Sequence, residues 1–329
     1  MGDKELSGLT VLVTGSAGFI GFHVSAALLA RGATVVGLDN YNDYYSPALK
    51  RDRDRELRRH PGFVSVELDL VDRGGLEGLF HEHRPQKICH LAAQAGVRYS
   101  LINPYAYQEA NLEGFLNLIE LARRHEVERF VYASSSSVYG GLTELPFSES
   151  QRVDTPISLY AATKRANELM AHAYTHLFGL PTVGLRLFTV YGPWGRPDMA
   201  MWLFTAAMLA GKPIKVFNYG HMERDFTYID DAVQGIVAAL LTPGLERYEI
   251  FNLGNHRAEP LTKVIRLLEE HLGITAQQEL LPLQPGDVPA TFADISHAQD
   301  KLGFYPRTPI EEGIPRFIAW YRQYHGLSA

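Results

Sequence analysis

A tyrosine and a lysine stand four residues apart in the segment SLYAATKRANE, as Tyr160 and Lys164. On a helix, that spacing places both side chains on one face, about one turn apart. A lysine ammonium beside a phenol favours the phenolate, which suits removal of a hydroxyl proton by the tyrosine. Such a pair also occurs by chance on many helices, so its meaning depends on what else the chain carries.

Four consecutive serines follow the apolar run RFVYA, in the segment ASSSSVYG at residues 133–140. Packing at the end of a buried strand does not require four hydroxyl groups, and the segment contains no acidic residue. Hydroxyl groups can donate hydrogen bonds to an anion, whereas a nearby carboxylate would repel it. The segment therefore indicates a site that needs small hydroxyl groups and excludes acids.

A glycine array, G-x-x-G-x-x-G, lies in VLVTGSAGFIG as Gly15, Gly18 and Gly21, between the predicted first strand and first helix. Glycines there permit a tight turn, let the backbone approach a pyrophosphate and allow the helix to pack on the strand. The helix N-terminus, which includes Phe19 and Ile20, faces the phosphate charge. In this context the array predicts a dinucleotide site.

The second predicted strand ends at Asp39, about 20 residues beyond the glycines, where an acid accepts hydrogen bonds from the adenosine ribose. This carboxylate would repel a 2′-phosphate and no arginine immediately follows it, which favours NAD over NADP. The alternative is that Asp39 caps a helix or turn. Further predicted cofactor contacts at the carboxyl ends of strands are Asn40, Asp69, Leu70, Ala92 and Ala93.

Short β-branched runs alternate with helical patterns through the first 190 residues. The six predicted strands are LTVLVTG, TVVGLDN, FVSVELD, KICHLAA, RFVYASS and TVGLRLF. Repeated βα units predict an α/β fold with a doubly wound parallel Rossmann sheet. Proline and glycine become frequent after residue 190, which predicts a smaller C-terminal substrate-binding lobe. We expect the NAD-binding domain to span 1–189 with 225–256, and the lobe to span 190–224 and 257–329.

The composition excludes several classes of partner. The formal charge of −6 and a pI near 6.1 give no reason to expect nucleic acid or an anionic membrane surface. The N-terminus lacks a signal sequence and no apolar stretch could span a membrane, so we expect a cytoplasmic protein.

The charged run at 50–59 predicts a solvated helix face. Cys89 is expected to be a buried strand thiol, and no residues have zinc-ligand spacing.

Together these motifs resemble the extended short-chain dehydrogenase/reductase family over essentially the whole chain. The resemblance includes the glycine array, Asp39, the LAA segment, Asn111, the serine-rich strand end, the Tyr-x-x-x-Lys pair and RDFTYIDD. It implies NAD as cofactor and adds Asn111 to the cofactor contacts. It also implies that Tyr160 acts as the base, that Lys164 holds the nicotinamide ribose and tunes Tyr160, and that Ser135 shares hydrogen bonds with the substrate oxygen.

Within that family the chain is most similar to NAD-dependent sugar-nucleotide epimerases that invert C4 of UDP-glucuronate, through FTVYGPWGRPDMA and RDFTYIDDAVQGI. Such a reaction implies a transient 4-keto uronic acid, which is a β-keto acid and can lose its carboxylate as carbon dioxide. Related decarboxylases carry a glutamate at the position of Ser137, and related dehydratases carry an Asp-Glu pair at Ser136 and Ser137. The chain has neither acid.

We therefore interpret Ser136, Ser137 and Thr189 as hydrogen-bond donors to the substrate carboxylate, with Ser135 at the hydroxyl that is oxidised. Thr189 stands where similar UDP-galactose 4-epimerases have asparagine. The alternative is that these hydroxyls only satisfy backbone groups at strand ends. Arg196 and Arg98 are further candidates to face anionic parts of the substrate, with a surface or interdomain salt bridge as the alternative for each.

At the nucleotide end, the resemblance implies that Arg224 holds the pyrophosphate and that Asp287 binds a ribose hydroxyl. Gln284 replaces an arginine that some relatives present to the same phosphates. Val216 is expected to pair its backbone with uracil, or else to lie in an ordinary edge strand. Two apolar helices, at 104–121 and 159–174, predict a four-helix interface in a homodimer.

Two other functions remain open on sequence grounds. The first is a 4-epimerase of a neutral UDP-hexose or its N-acetyl form, for which the serines and Thr189 would bind a 6-hydroxyl. The second is a non-catalytic, nucleotide-sensing Rossmann protein. Retention of Ser135, Tyr160 and Lys164 together argues against the second.

Overall fold

The computed structural model describes residues 6–327. Its central layer is a seven-stranded sheet formed by β1 (Thr10–Thr14), β2 (Thr34–Asp39), β3 (Phe63–Glu67), β4 (Lys87–His90), β5 (Arg129–Ser135), β6 (Thr182–Leu187) and β11 (Tyr248–Leu253). All neighbouring strands are parallel, in the order β3-β2-β1-β4-β5-β6-β11. The doubly wound α/β fold and all six strands predicted from sequence are confirmed.

The strand order reverses between β1 and β4, which is where an open sheet of this type forms its binding crevice. Residues along β1 alternate between two apolar cores, because successive strand side chains point to opposite faces. Val11 and Val13 belong to one core and Leu12 to the other. Helices therefore cover both faces of the sheet.

The helices are α1 (Phe19–Leu29), α2 (Pro47–Leu57), α3 (Arg73–His83), α4 (Pro104–Tyr107), α5 (Gly114–Arg124), α6 (Leu159–Phe178), α7 (Ala200–Leu209), α8 (Ile229–Leu241), α9 (Leu261–Leu272), α10 (Ser296–Leu302) and α11 (Ile310–Tyr324). None of those in the described part of the chain is long and apolar enough to cross a bilayer.

The remaining strands form three two-stranded sheets. They pair β7 (Thr189–Tyr191) with β10 (Phe226–Tyr228), β9 (Glu223–Arg224) with β12 (Glu259–Pro260), and β8 (Ile214–Phe217) with β13 (Gln278–Leu281). The chain thus leaves the large sheet after β6 and returns to it at β11. The domain boundaries expected from sequence remain a prediction.

The apolar segment that begins at Pro104 is not one regular helix. A π-helical turn over Gln108–Glu113 separates α4 from α5. Such turns insert an extra residue and are frequent at functional sites. Here the π-helical turn carries Asn111, and periodicity alone gave no sign of it.

The prediction of a solvated face for the charged run at 50–59 is wrong in part. The run does lie largely within α2, but Lys50, Arg53 and Asp54 are buried. Arg53 is fully buried because its guanidinium donates to main-chain carbonyl oxygens, among them that of Ala17 at 2.9 Å. Cys89, in contrast, is buried in β4 as expected, and burial raises the pKa of its thiol.

Candidate active site

The glycine turn has the shape that a dinucleotide requires. Gly15 has φ +71°, and a Cβ there would lie 2.8 Å from the Ala92 nitrogen. A Cβ on Gly21 would collide with the Gly15 carbonyl oxygen. The α1 N-cap is Gly18, which offers no side-chain cap, so the first N–H groups of α1, at Phe19 and Ile20, remain available to a phosphate. The turn therefore fits a pyrophosphate.

Asp39 lies at the end of β2 and is 6% exposed. Its carboxylate accepts hydrogen bonds from the Ala17 N–H at 3.2 Å and the Tyr41 N–H at 2.9 Å, so part of the capping alternative is present. Burial raises the pKa of Asp39, and the Lys50 ammonium, 3.9 Å away, opposes that rise. Each carboxylate oxygen keeps a lone pair for a ribose hydroxyl.

The neighbouring strand ends meet at the same edge. The Asn40 amide donates to the Asp69 carboxylate at 2.8 Å, which joins the ends of β2 and β3. The Leu70 carbonyl accepts from Asn117 at 2.9 Å. Half-buried Ala92 and Ala93 follow β4. These residues lie where the sequence analysis placed them, and their contact with a cofactor remains a prediction.

Both the oxygen and the nitrogen of the Asn111 side-chain amide form hydrogen bonds within the protein. Its oxygen accepts from the Gln94 N–H at 2.8 Å, and its amide donates to the Gln94 carbonyl and the Thr163 hydroxyl, each at 3.0 Å. Asn111 thus joins the loop after β4 to helix α6. This arrangement supports a positioning role, and direct contact with NAD stays a prediction.

Helix α6 brings the tyrosine and the lysine to the end of β5. Ser158 caps the helix, since its hydroxyl accepts from the Ala161 N–H at 3.1 Å. Tyr160 follows in the first turn and is half-buried. Lys164, one turn later, donates from Nζ to the Ala133 carbonyl at 2.8 Å. Burial lowers the pKa of Lys164 to about 8.

The pKa of Tyr160 is raised from its usual value, because burial outweighs two lowering influences. These are a hydrogen bond with Ser135 and the positive charge of Arg196. The sequence analysis expected Lys164 to lower this pKa, but the ammonium is directed at the Ala133 carbonyl. In this structure Ser135 and Arg196 are therefore the groups that favour the phenolate.

Ser134 and Ser135 end β5 and point to opposite faces of the sheet, because successive strand side chains alternate, whereas Ser136 and Ser137 begin a 3-10 helical turn over Ser136–Tyr139. Ser135 is turned to the tyrosine, and its hydroxyl accepts from the Ser137 N–H and donates to the Ser137 hydroxyl, each at 3.1 Å. Ser134 instead donates to the Glu168 carboxylate at 2.6 Å. Ser134 is thus engaged behind the sheet edge, and the roles of Ser135, Ser136 and Ser137 toward a substrate remain predictions.

Glu168 is a residue that the sequence analysis missed. It is fully buried and accepts from Nε and Nη2 of Arg186, each at 2.9 Å, and from Arg165 at 3.0 Å. A signal was present in the sequence, since Tyr160, Lys164 and Glu168 follow one another at intervals of four residues on the same helix face.

Thr189 and Arg196 lie beside the serine-rich strand end. In the pairing of β5 with β6, Ser135 stands opposite Leu187, so Ser136, Ser137 and Thr189 all leave the sheet at the same edge. Thr189 and Arg196 also line one small cavity together with Phe19 of α1. Ser135, Ser136 and Ser137 do not line that cavity, so a common carboxylate site formed by the serines, Thr189 and Arg196 remains a prediction.

The residues predicted for the nucleotide end form a second group. Arg224 donates to the Asp287 carboxylate at 2.7 Å, an ion pair that the sequence analysis did not foresee. The Arg98 guanidinium lies over the Phe217 ring, 4.9 Å from its centroid. The pKa of Arg224 is lowered mainly by burial, and the charge of Arg98 adds to that effect. Val216 is buried in β8, which pairs on one edge with β13. The forked donors of arginine suit a pyrophosphate, so Arg224 and Arg98 are candidates to hold one.

Comparison with known proteins adds three findings. The profile of the NAD dependent epimerase/dehydratase family matches residues 11–254. UDP-glucuronate 4-epimerase 4 of Arabidopsis thaliana is 49% identical over 335 residues, 97% of this chain and 76% of that protein. The structure of UDP-glucuronic acid 4-epimerase from Bacillus cereus with UDP-glucuronic acid and NAD has a TM-score of 0.91 at 34% identity, covering 96% of this chain and 100% of that chain.

A fourth comparison bears on the neutral-sugar alternative. The structure of UDP-glucose 4-epimerase from Thermotoga maritima with UDP-glucose has a TM-score of 0.88 at 30% identity, and it covers 96% of this chain and 100% of that chain. Overall similarity thus extends to epimerases of both uronic and neutral sugars, so the residues of the site must separate the two.

Proposed function

Because the chain belongs to the NAD dependent epimerase/dehydratase family, we propose that it inverts C4 of UDP-glucuronate to give UDP-galacturonate, with no decarboxylation. Family membership confirms the resemblance predicted from the motifs. The Arabidopsis thaliana relative is named for this activity, and the Bacillus cereus structure holds UDP-glucuronic acid and NAD. Within this chain, the proposal rests on the acid-free strand edge that presents Ser135, Ser136, Ser137 and Thr189.

Bound NAD supplies the means of removing hydride from C4 and returning it to the opposite face. The chain's own residues move the proton. Tyr160 takes the proton of the 4-hydroxyl, while Ser135, which already interacts with Tyr160, shares a hydrogen bond with the same oxygen. The ammonium of Lys164 is held one turn away by the Ala133 carbonyl, and we assign it to the nicotinamide ribose.

The hydroxyls at the strand edge control the fate of the 4-keto sugar. Decarboxylation requires the C6 carboxylate to stand perpendicular to the C4 carbonyl, so that its electron pair can pass into the ketone. Donors that hold the carboxylate away from this orientation suppress the loss, and charge-assisted hydrogen bonds are the strong ones. We assign this task to Ser136, Ser137 and Thr189, with Arg196 as the cation.

The other end of the substrate is assigned to the second group of residues. We assign Arg224 and Arg98 to the two phosphates, because the forked donors of a guanidinium suit phosphate oxygens and the charge of Arg98 acts on Arg224. Asp287 already accepts from Arg224 and retains lone pairs for a ribose hydroxyl. Val216, with one edge of β8 paired, is placed for the uracil.

Incubation of the purified protein with UDP-glucuronate, followed by NMR of the products, tests the proposal. We expect UDP-galacturonate without added cofactor, and no product from a Tyr160→Phe variant. UDP-xylose as the main product would contradict the assignment of the serines. A preference for UDP-glucose over UDP-glucuronate would favour the neutral-sugar alternative that the Thermotoga maritima structure raises.

We also propose that two copies associate through α5 and α6. These helices pack together and leave large apolar side chains exposed, namely Leu116, Leu169, Leu177 and Phe178. Pairing them across a two-fold axis would cover this surface with a four-helix interface. Light scattering should give the mass of a dimer for the wild type and of a monomer for Leu177→Glu. A monomeric wild type at micromolar concentration would contradict the proposal.

The cytoplasmic location expected from sequence stays a prediction.

A further inference from the structure

The main chain of the segment 193–198 is tied by hydrogen bonds to side chains of α1 and α2. The Pro193 carbonyl accepts from His23 of α1 at 2.9 Å. Buried Arg53 of α2 donates to the carbonyls of Trp194 at 2.6 Å and Gly195 at 3.1 Å. Three consecutive carbonyls are thus held by side chains of two helices, which fixes the start of the segment.

Arg196 follows directly and is held by its own neighbour, Asp198. Nε of Arg196 donates to one carboxylate oxygen at 3.0 Å and Nη2 to the other at 2.5 Å, a bidentate geometry that restricts the planar guanidinium to one orientation. Within residues 6–327, Nη1 has no hydrogen-bond acceptor. That nitrogen remains available to an incoming anion.

The Asp198 carboxylate is itself held from the cofactor side. Tyr44, in the loop that follows β2, donates from its hydroxyl to Asp198 at 3.0 Å. Burial, together with the charge of Asp198, raises the pKa of Tyr44 to about 12, so the phenol keeps its proton at neutral pH. The Tyr44 ring also contacts the Tyr99 ring in a tilted arrangement, with 4.9 Å between the ring centroids, and its hydroxyl lies close to Gly96. It therefore has little freedom to move away.

The orientation of Arg196 matters because of where the guanidinium lies. It lines a cavity together with Thr189 and Phe19, and its positive charge opposes part of the rise that burial causes in the pKa of Tyr160. A free arginine side chain loses about 2 kcal/mol of rotamer entropy when it is fixed. An aspartate that fixes it beforehand removes this cost from substrate binding.

We propose that Asp198, held by Tyr44, is a positioning residue that fixes the Arg196 guanidinium beside Tyr160, where it receives the carboxylate of the sugar. The inference rests on the proposed function and deepens it, since it names what orients the cation of the uronate site. It also connects the loop after Asp39, on the cofactor side, to the selection of an acidic sugar.

Loss of this orientation has a chemical consequence that can be measured. In the 4-keto sugar, the C5–C6 bond breaks, carbon dioxide leaves, and the electron pair forms an enolate through C5 and C4. Protonation at C5 then gives a UDP-4-keto-pentose. The hydride taken from C4 remains on the cofactor, so one reduced nicotinamide accumulates for each carbon dioxide released unless the pentose ketone is reduced.

Asp198→Asn and Tyr44→Phe test the proposal, with Asp300→Asn and Tyr305→Phe as matched controls at exposed positions. We expect Asp198→Asn to raise KM for UDP-glucuronate about tenfold, the equivalent of about 1.4 kcal/mol for a charge-assisted contact. Tyr44→Phe should act in the same direction with a smaller effect. Binding of UDP and of UDP-glucose should change less than about twofold, because neither ligand has the carboxylate.

The product mixture gives a second measurement that a merely structural role would not change. NMR should show a larger fraction of UDP-4-keto-pentose for both variants than for the controls, with a matching rise in reduced nicotinamide. Equal loss of UDP and UDP-glucuronate binding, or an unchanged product mixture with wild-type KM, would overturn the inference. If Asp198→Asn fails to fold, the Tyr44→Phe variant decides the test by itself, because it removes only the hydroxyl that donates to Asp198. A wild type that does not epimerise UDP-glucuronate would instead reject the proposed function.

Discussion

Replacing Glu168 by glutamine tests how the catalytic strand end is supported. Glu168 is fully buried, and its carboxylate accepts two hydrogen bonds from Arg186 and one each from Ser134 and Arg165. Burial tends to raise the pKa of Glu168, but the bonds to Arg186 prevail and lower it. Glutamine has nearly the same shape and leaves the Arg186 charge buried without its counter-ion.

Removing one partner of a buried ion pair costs about 3–5 kcal/mol, because the remaining charge is uncompensated. We expect Glu168→Gln to lower the free energy of unfolding by that amount, measured by urea denaturation of the NAD-loaded protein. Glu120→Gln is the matched control. Glu120 pairs with Arg123 and Arg124 at the surface of α5, where such pairs contribute about 0–1 kcal/mol.

The pH dependence of the free energy of unfolding is an independent test of the contribution of the Glu168 carboxylate. The folded-state pKa of Glu168 is lowered, so its contribution is present above the unfolded value and is lost as pH falls through the folded value. The stability difference between the wild type and Glu168→Gln should therefore shrink below about pH 4.5. A difference under about 1 kcal/mol at pH 7, equal to that of Glu120→Gln, would refute the argument.

Three further predictions concern the reaction itself. The kcat of the wild type should fall as pH rises through about 8, because the Lys164 ammonium loses its proton there, and a Lys164→Met variant should lack that limb of the profile. Gly21→Ala should purify with less bound NAD, measured by absorbance after denaturation, because its Cβ would meet the Gly15 carbonyl oxygen. Ser137→Glu should shift the NMR products from UDP-galacturonate towards decarboxylated sugar, whereas Ser134→Thr should not.

The local parts of the site could be predicted from sequence because their signals are short in range. The glycine array, Asp39 and the Tyr160–Lys164 spacing each specify a backbone geometry within about one element. The structure places Gly15 at φ +71° and Lys164 one turn after Tyr160, as those patterns require. Strand runs were recognised for the same reason.

What the sequence could not provide depends on contacts between distant segments. Arg53 looked like a surface residue because its neighbours are charged, yet it bonds to carbonyls 36, 141 and 142 residues away. The ion pair between Arg224 and Asp287 joins positions 63 residues apart. The π-helical turn holds Asn111 against Gln94 in the loop after β4. Helical periodicity carries no information about a contact with that loop.

Three acids near the proposed substrate path share one arrangement, in which each carboxylate is paired with an arginine. Glu168 is paired with Arg186 behind the serines, Asp198 with Arg196 at the crevice, and Asp287 with Arg224 at the nucleotide end. In each pair the carboxylate accepts hydrogen bonds from a guanidinium and orients it. If this reasoning is correct, changing any of these acids to its amide should weaken the adjoining arginine contact more than it relieves charge repulsion. Asp287→Asn should then weaken binding of UDP-glucuronate and UDP-glucose alike, whereas Asp198→Asn should weaken binding of UDP-glucuronate alone, because Arg196 is the arginine that we assign to the sugar carboxylate.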